Sequence, residues 1–296
     1  MQMKKFSDIH IRDPFILPLK DQRCYWLFGS TDLDSGAGDG KNPFVGDSEI
    51  AFGCYKSEDL VNWEGPFPAF RKPDDFEKGV PYWAPECHQY NGAFYLFATM
   101  APTLGENKGT WILRADKPEG PYQLWSDGPI TPREWQALDG TFYVDEKGTP
   151  YMIFCHEWIQ IGNGTVCAVE LSADLKHAIG APKVLFSAED ASWTLRFTDS
   201  SFPNAYVTDG PFVYHYGKAL RMIWSSFSKD GYTMGMVESE SGSILGPWKH
   251  LPELVFAKDG GHGMYFRDFD GKGYVILHQP NVSPNERPML FPMELN

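Results

Sequence analysis

Apolar and polar positions along this chain alternate over short runs, and each run is closed by Gly, Pro, Asp or Asn. A period of two puts successive side chains on opposite faces of an extended strand, and the closing residues are those that turns require. Few stretches carry the spacing of a long amphipathic helix. The pattern predicts an all-β protein assembled from hairpins. The stretch YVTDGPFVYHYGKALRMIWSS at 206–226 is representative: two aromatic and aliphatic strands about a Gly-Lys turn, opened by Asp209, Gly210 and Pro211.

The hairpin recurs. Comparable segments open at Ile11 (IRDPFILPLKDQRCYWLFGS), Trp83 (WAPECHQYNGAFYLFATM), Leu138 (LDGTFYVDEKGTPYMIFCHEW), Thr208 and Gly260 (GGHGMYFRDFDGKGYVILHQ). With Asp13, Glu86, Asp139, Asp209 and His262 as anchors, the intervals are 73, 53, 70 and 53 residues. That is the length of a four-stranded propeller blade with variable loops. A second pattern interleaves at 57–67, 115–125, 172–182 and 239–250, each with a turn and then a Gly-Pro or Gly-Ala step. This fits an outer blade strand, whose free edge tolerates proline. The prediction is one domain over residues 1–296, an all-β, five-bladed β-propeller. Its fifth blade would be completed by RPMLFPMEL and the N-terminal residues. A β-sandwich with accidentally similar hairpins is the alternative.

Charge and composition narrow the chemistry. Lys and Arg number 26 against 39 Asp and Glu, a net charge of −13. Such a chain repels phosphate backbones and anionic lipid, so neither nucleic acid nor a membrane surface is an expected partner. No apolar run has the length of a membrane helix. Ten Trp and fourteen Tyr would fill sheet faces first, and rings left over suit the flat faces of sugars. Cys24, Cys54, Cys87, Cys155 and Cys167 are an odd number without a CxxC pair. They read as buried free thiols, with neither a disulfide framework nor a zinc site. No phosphate-cradling glycine loop occurs, so no organic cofactor is expected. MQMKKFSDIHIRDP has no apolar segment behind its lysines. The expectation is a cytoplasmic chain as it stands, or a periplasmic or secreted one if a leader has been removed.

In a propeller the innermost strands surround a central channel, and their first residues meet at one end. Asp13, Asp139 and Asp209 would converge there. Three carboxylates in one pocket repel one another, so stability gives no reason to gather them. Acid–base chemistry, with one carboxyl protonated and another ionised, does.

The ordered set Arg-Asp-Pro (12–14), Trp-Ala-Pro-Glu (83–86), Leu-Asp-Gly (138–140), Asp-Gly-Pro (209–211) and Gly-His-Gly (261–263) resembles glycoside hydrolase family 43, one motif per blade along the whole chain. The resemblance implies an inverting hydrolase of arabinose- and xylose-containing polysaccharides. It assigns Asp13 as general base, Asp139 as the carboxylate that orients the acid and modulates its pKa, and Asp209 as general acid. His262 matches a histidine near the channel axis that holds calcium or an ordered water, so no cofactor is required and a Ca2+ ion is implied only by resemblance. Arg287 resembles a late arginine that reaches back to the sugar, and Trp83 a wall of the innermost subsite. The family's acid is usually Glu, and Asp209 stands one C–C bond shorter. Glu86 and Glu157 are alternative proton donors. His156 and Trp158, read as ending a strand, either line the pocket or pack.

The leading expectation is an exo-acting α-L-arabinofuranosidase, with residues 30–49 walling off one end of the cleft. A β-xylosidase and a non-catalytic carbohydrate-binding propeller are the alternatives.

Overall fold

The hairpins form antiparallel meanders. The computed structural model describes residues 3–30, 49–199 and 202–293. The first sheet runs β1 (Arg12–Leu19), β2 (Cys24–Ser30), β3 (Ile50–Ser57), β4 (Glu64–Arg71), and the second β5 (Tyr82–Tyr90), β6 (Ala93–Met100), β7 (Gly109–Ala115), β8 (Gln123–Leu124). The third runs β9 (Ala137–Val144), β10 (Pro150–His156), β11 (Thr165–Leu171), β12 (Ala178–Ser187), with a single turn of helix, α1 (Trp158–Ile161), between β10 and β11. A short ribbon, β13 (Phe197–Asp199) and β14 (Phe202–Ala205), leads to the fourth sheet: β15 (Asp209–Tyr216), β16 (Ala219–Ser228), β17 (Gly231–Ser239), β18 (Trp248–His250). The fifth holds β19 (Gly261–Arg267), β20 (Gly273–Gln279) and β21 (Arg287–Pro292). Inner strands β1, β5, β9, β15 and β19 neighbour one another in turn, and β19 meets β1 to close the ring. The protein is a five-bladed β-propeller.

Blades pack face to face, so their second strands are covered on both sides. β2, β6 and β10 bury every residue, which is why they read as continuous apolar runs. Between blades lie four apolar clusters: around Phe28, Phe52 and Trp63 where blades one, two and five meet; around Phe97 and Phe154 between two and three; around Trp224 between three and four; and around Met234 and Leu277 between four and five. Each large side chain removed from water there contributes about 1.5–3 kcal/mol. The five cysteines are free and buried. Among the described residues, no helix is long and apolar enough to cross a membrane.

All five inner strands begin with the same device. Ladder pairing skips between Arg12 and Phe15, Trp83 and Glu86, Leu138 and Thr141, Asp209 and Phe212, and Gly261 and Met264. The first skipped residue lies in the left-handed region: Asp13 (φ 52°), Ala84 (44°), Asp139 (58°), Gly210 (50°) and His262 (43°). The second is always Pro or Gly: Pro14, Pro85, Gly140, Pro211 and Gly263. Proline has no N–H to pair, and glycine leaves room for a close neighbour, Thr110 at Gly140 and the backbone of Ile276 at Gly263, so each start is a built-in β-bulge. A left-handed non-glycine residue is strained by about 1–3 kcal/mol, and here its N–H is tied to the preceding blade. Ala84, Asp139 and His262 donate to the hydroxyls of Ser30 (2.7 Å), Thr99 (2.9 Å) and Ser225 (2.8 Å). Asp13 donates to His278 Nδ1 at 3.2 Å.

Two expectations are corrected. Aligned on the bulge, the equivalents of Asp13 and Asp139 are Ala84, Gly210 and His262, so Glu86 and Asp209 are not register-equivalent anchors. The N-terminal residues do not extend the fifth sheet, which has three strands among the described residues. Lys4 instead bridges to Trp63 beside the first blade, and Ser7 offers its carbonyl to Arg287. The proposed wall at 30–49 falls, from residue 31 to 48, outside the described residues.

Candidate active site

The bulges aim three carboxylates and one imidazole at the channel. Asp13 is the most heavily supported. Ser30 donates its hydroxyl to Oδ2 at 2.6 Å, and His262 Nδ1 lies 3.1 Å from Oδ1. A carboxylate can only accept, so the proton of His262 sits on Nδ1. Burial alone would raise the pKa of Asp13, but His262, Arg12, His278 and the Ser30 hydroxyl together bring it down to about 2. His278 is pushed down to about 4, chiefly by burial. Its bonds agree with a neutral ring, since Nδ1 accepts from Asp13 N–H while Nε2 faces Asn281 Oδ1 at 3.0 Å.

Asp139 meets the opposite field. It is buried, its Oδ2 lies 3.7 Å from His262 Nδ1, and that oxygen accepts the N–H of Gly210 at 3.1 Å. In the other blades this linking acceptor comes from the second strand. Here the corresponding second-strand residue is Cys155, paired with Leu138, and the carboxylate takes its place. Burial, then the charge of Asp13, pushes Asp139 well above the usual carboxylate range, with Glu157 and Glu86 adding to the rise.

Asp209 precedes the bulged Gly210 and is half-buried. Burial and the neighbouring Asp139 raise it to about 7, against the opposing pull of His262 and Tyr232. Tyr232 donates its hydroxyl to Asp209 Oδ2 at 2.9 Å. The ring of His262 lies against Gly210, where a Cβ would come within 2.5 Å of Cδ2. Blades one, three, four and five thus meet on one imidazole.

The remaining candidates divide. Trp83 holds the same register position as Asp209 and carries the Lys108 ammonium 4.9 Å above its ring. Lys108 also pairs with buried Glu157 at 2.8 Å. Glu86 follows the second bulge, with Oε2 3.1 Å from His88 Nε2. His156 is stacked on Trp135 at 4.0 Å and bonded to Gln160 at 2.8 Å, so its contacts are those of packing. Trp158 opens α1 rather than ending a strand. Arg287 does not join the cluster: its guanidinium is spent on the carbonyls of Ser7, Pro284 and Glu286 and on His10, because β21 is the outermost strand of its blade.

Calcium takes about six to eight oxygen ligands. Around His262 stand an imidazole nitrogen and two carboxylates already engaged by Ser30, Gly210 and the ring itself. Among the described residues, no group of three or more His, Cys, Asp or Glu is arranged to hold a metal ion. The donor set does not fit the implied calcium, and His262 serves as a partner of the carboxylates.

Tyr232, His278, Ser30 and Lys108 were missed from sequence. One signal was available: Ser30, Thr99, Ser225 and His278 are polar residues near the ends of second strands whose centres are apolar.

Residues 6–296 match the family described as glycosyl hydrolases family 43. The chain belongs to that family. This glycoside hydrolase is 24% identical over 263 residues to an extracellular exo-α-(1→5)-L-arabinofuranosidase of Cellvibrio japonicus (strain Ueda107), across 78% of this chain and 73% of the relative. The crystal structure of an endo-arabinase from Bacteroides thetaiotaomicron VPI-5482 is similar with a TM-score of 0.87 and 35% identity, covering 100% of this chain and 99% of that one. An endo-1,4-β-xylanase from the same organism shares the fold, with a TM-score of 0.76, 20% identity and coverage of 100% and 94%.

Proposed function

We infer that the enzyme cleaves α-L-arabinofuranosyl linkages with inversion of configuration, releasing arabinose from the ends of arabinose-containing polysaccharides or oligosaccharides. The observation that carries this reading is the convergence of Asp13, Asp139 and Asp209 in one channel, with Asp13 backed by Ser30 and His262 and lowered to about 2, and Asp209 buried beside Asp139 and raised to about 7. Near pH 6, Asp13 is ionised and Asp209 largely protonated. Asp13 takes a proton from water as the water oxygen attacks the anomeric carbon. Asp209 gives its proton to the glycosidic oxygen on the opposite face, and the bond to the leaving sugar breaks. The cycle leaves Asp13 protonated and Asp209 ionised, and exchange with solvent resets both. Burial and mutual repulsion keep a proton on the Asp139–Asp209 pair, and Asp139 holds the backbone beside Asp209 by accepting the N–H of Gly210.

Arabinose as the sugar is supported by the names of both the curated relative and the endo-arabinase. End-wise action follows the former. Internal cleavage is a second reading, favoured by the 35% identity to the endo-arabinase over the full length. Digestion of α-1,5-linked arabino-oligosaccharides, followed by chromatography and proton NMR, tests the reading. The expected result is free arabinose from the first time point, released initially as the β anomer. Shorter oligosaccharides without arabinose would replace exo by endo action. An initial α anomer would overturn inversion, and faster turnover of a β-D-xyloside would overturn the sugar.

A further inference from the structure

The acid in this channel is an aspartate, about 1.5 Å shorter than glutamate, and a device on the fourth and fifth blades takes hold of it. Tyr232, on the third strand of blade four, passes its ring between the blades and donates its hydroxyl to Asp209 Oδ2 at 2.9 Å. The passage exists because Gly261 has no side chain; a Cβ there would lie 2.7 Å from Tyr232 Cε1. The same ring stacks on His278, with centroids 5.7 Å apart and planes 21° from parallel. His278 in turn accepts the backbone N–H of Asp13 at 3.2 Å and is fixed from its other side by Asn281 at 3.0 Å. Acid and base are thereby joined through two stacked rings, both buried.

We propose that Tyr232 is a positioning residue for proton delivery: by occupying Oδ2 of Asp209 it confines the transferable proton to Oδ1, and by stacking on His278 it fixes the acid relative to Asp13. This rests on the reading of Asp209 as general acid. A carboxylic acid bonded at neither oxygen distributes its proton over both, and only one faces the leaving group. A hydroxyl donating to Oδ2 removes that choice, and it also stabilises the carboxylate left after the proton departs. The other groups facing Asp209 are Asp139 from β9, Glu157 after β10, and His262 from β19. None of these is altered when the tyrosine hydroxyl is removed.

The test uses Tyr232→Phe and Asp209→Asn on two substrates. One is α-1,5-arabinobiose, whose sugar alcohol leaves only with a proton. The other is 2,4-dinitrophenyl α-L-arabinofuranoside, whose phenolate leaves without one. Tyr232→Phe is expected to lose about 10- to 100-fold in kcat on arabinobiose, the size of a hydrogen bond to a charged group. On the aryl glycoside it should lose about threefold or less, which also certifies the fold. The alkaline limb of kcat/KM on arabinobiose should move up by about one pH unit, because the hydroxyl favours the ionised form. Equal losses on both substrates, or an unmoved alkaline limb, would overturn the proposal and leave Tyr232 a packing residue. If Asp209→Asn itself shows no contrast between substrates, the acid assignment fails and the proposal with it. Contrast in Asp209→Asn but none in Tyr232→Phe defeats the proposal alone.

Discussion

Blades one and four open in the same way, with a bulge, a left-handed residue and a proline, yet their carboxylates sit in opposite states. Asp13 is itself the left-handed residue and has His262, Arg12 and the Ser30 hydroxyl around it, so its ionised form prevails. Asp209 stands one residue earlier, where burial and then Asp139 raise its pKa, and its neutral form prevails. Backbone architecture brings both carboxyls to the channel. What differs is the company each keeps, within its own blade and across the blade boundary. A repeated hairpin supplies position, and unrepeated neighbours supply chemistry.

The largest effect should come from Asp13→Ala, which removes the partner of the attacking water. Turnover is expected to fall about 10³- to 10⁴-fold on arabinobiose and on the dinitrophenyl glycoside alike, since a better leaving group does not activate water. Asp209→Asn should lose about 10²- to 10⁴-fold on arabinobiose only. The same variant breaks the comparison from the side of stability. The folded pKa of Asp209 lies near 7 against an ordinary 3.8, so the folded protein binds the extra proton between those values. Stability is therefore lost as pH rises through that window. Melting curves should show Asp209→Asn gaining several degrees over wild type at pH 8 and little at pH 4. Lys108→Met leaves Glu157 without its cation in a site where the two side chains are only 15% and 10% exposed. Unfolding should become easier by about 3 kcal/mol, and adding Glu157→Gln should recover much of that in denaturant titrations. Arg287→Ala should change kcat/KM by about twofold or less, because its bonds run to carbonyls at the blade edge.

The fold was legible because a propeller repeats: five apolar hairpins at recurring intervals, each with its Pro or Gly start. The three aspartates were legible for the same reason, lying at or beside those starts. Their register was not. Aligning on acidic residues set Asp209 opposite Asp13, whereas aligning on Pro14, Pro85, Gly140, Pro211 and Gly263 sets Gly210 there. Tyr232, His278 and Lys108 were hidden because each is a single polar residue, on β17, on β20 and just before β7, brought in by the folding of the blades rather than by spacing. Arg287 was misplaced for a related reason. Its position late in the chain said nothing about whether its strand lay inside or outside the fifth blade.

Burial and the unrepeated neighbours of each carboxyl hold Asp13 ionised and Asp209 protonated in the same free enzyme. Carbon-13 NMR titration of protein labelled at the aspartate carboxyl carbon tests it most directly, with Asp13→Asn and Asp209→Asn providing the assignments. One resonance should titrate near pH 2 and be lost in Asp13→Asn, and another should titrate near pH 7 and be lost in Asp209→Asn. Both resonances titrating together near pH 4 would contradict it.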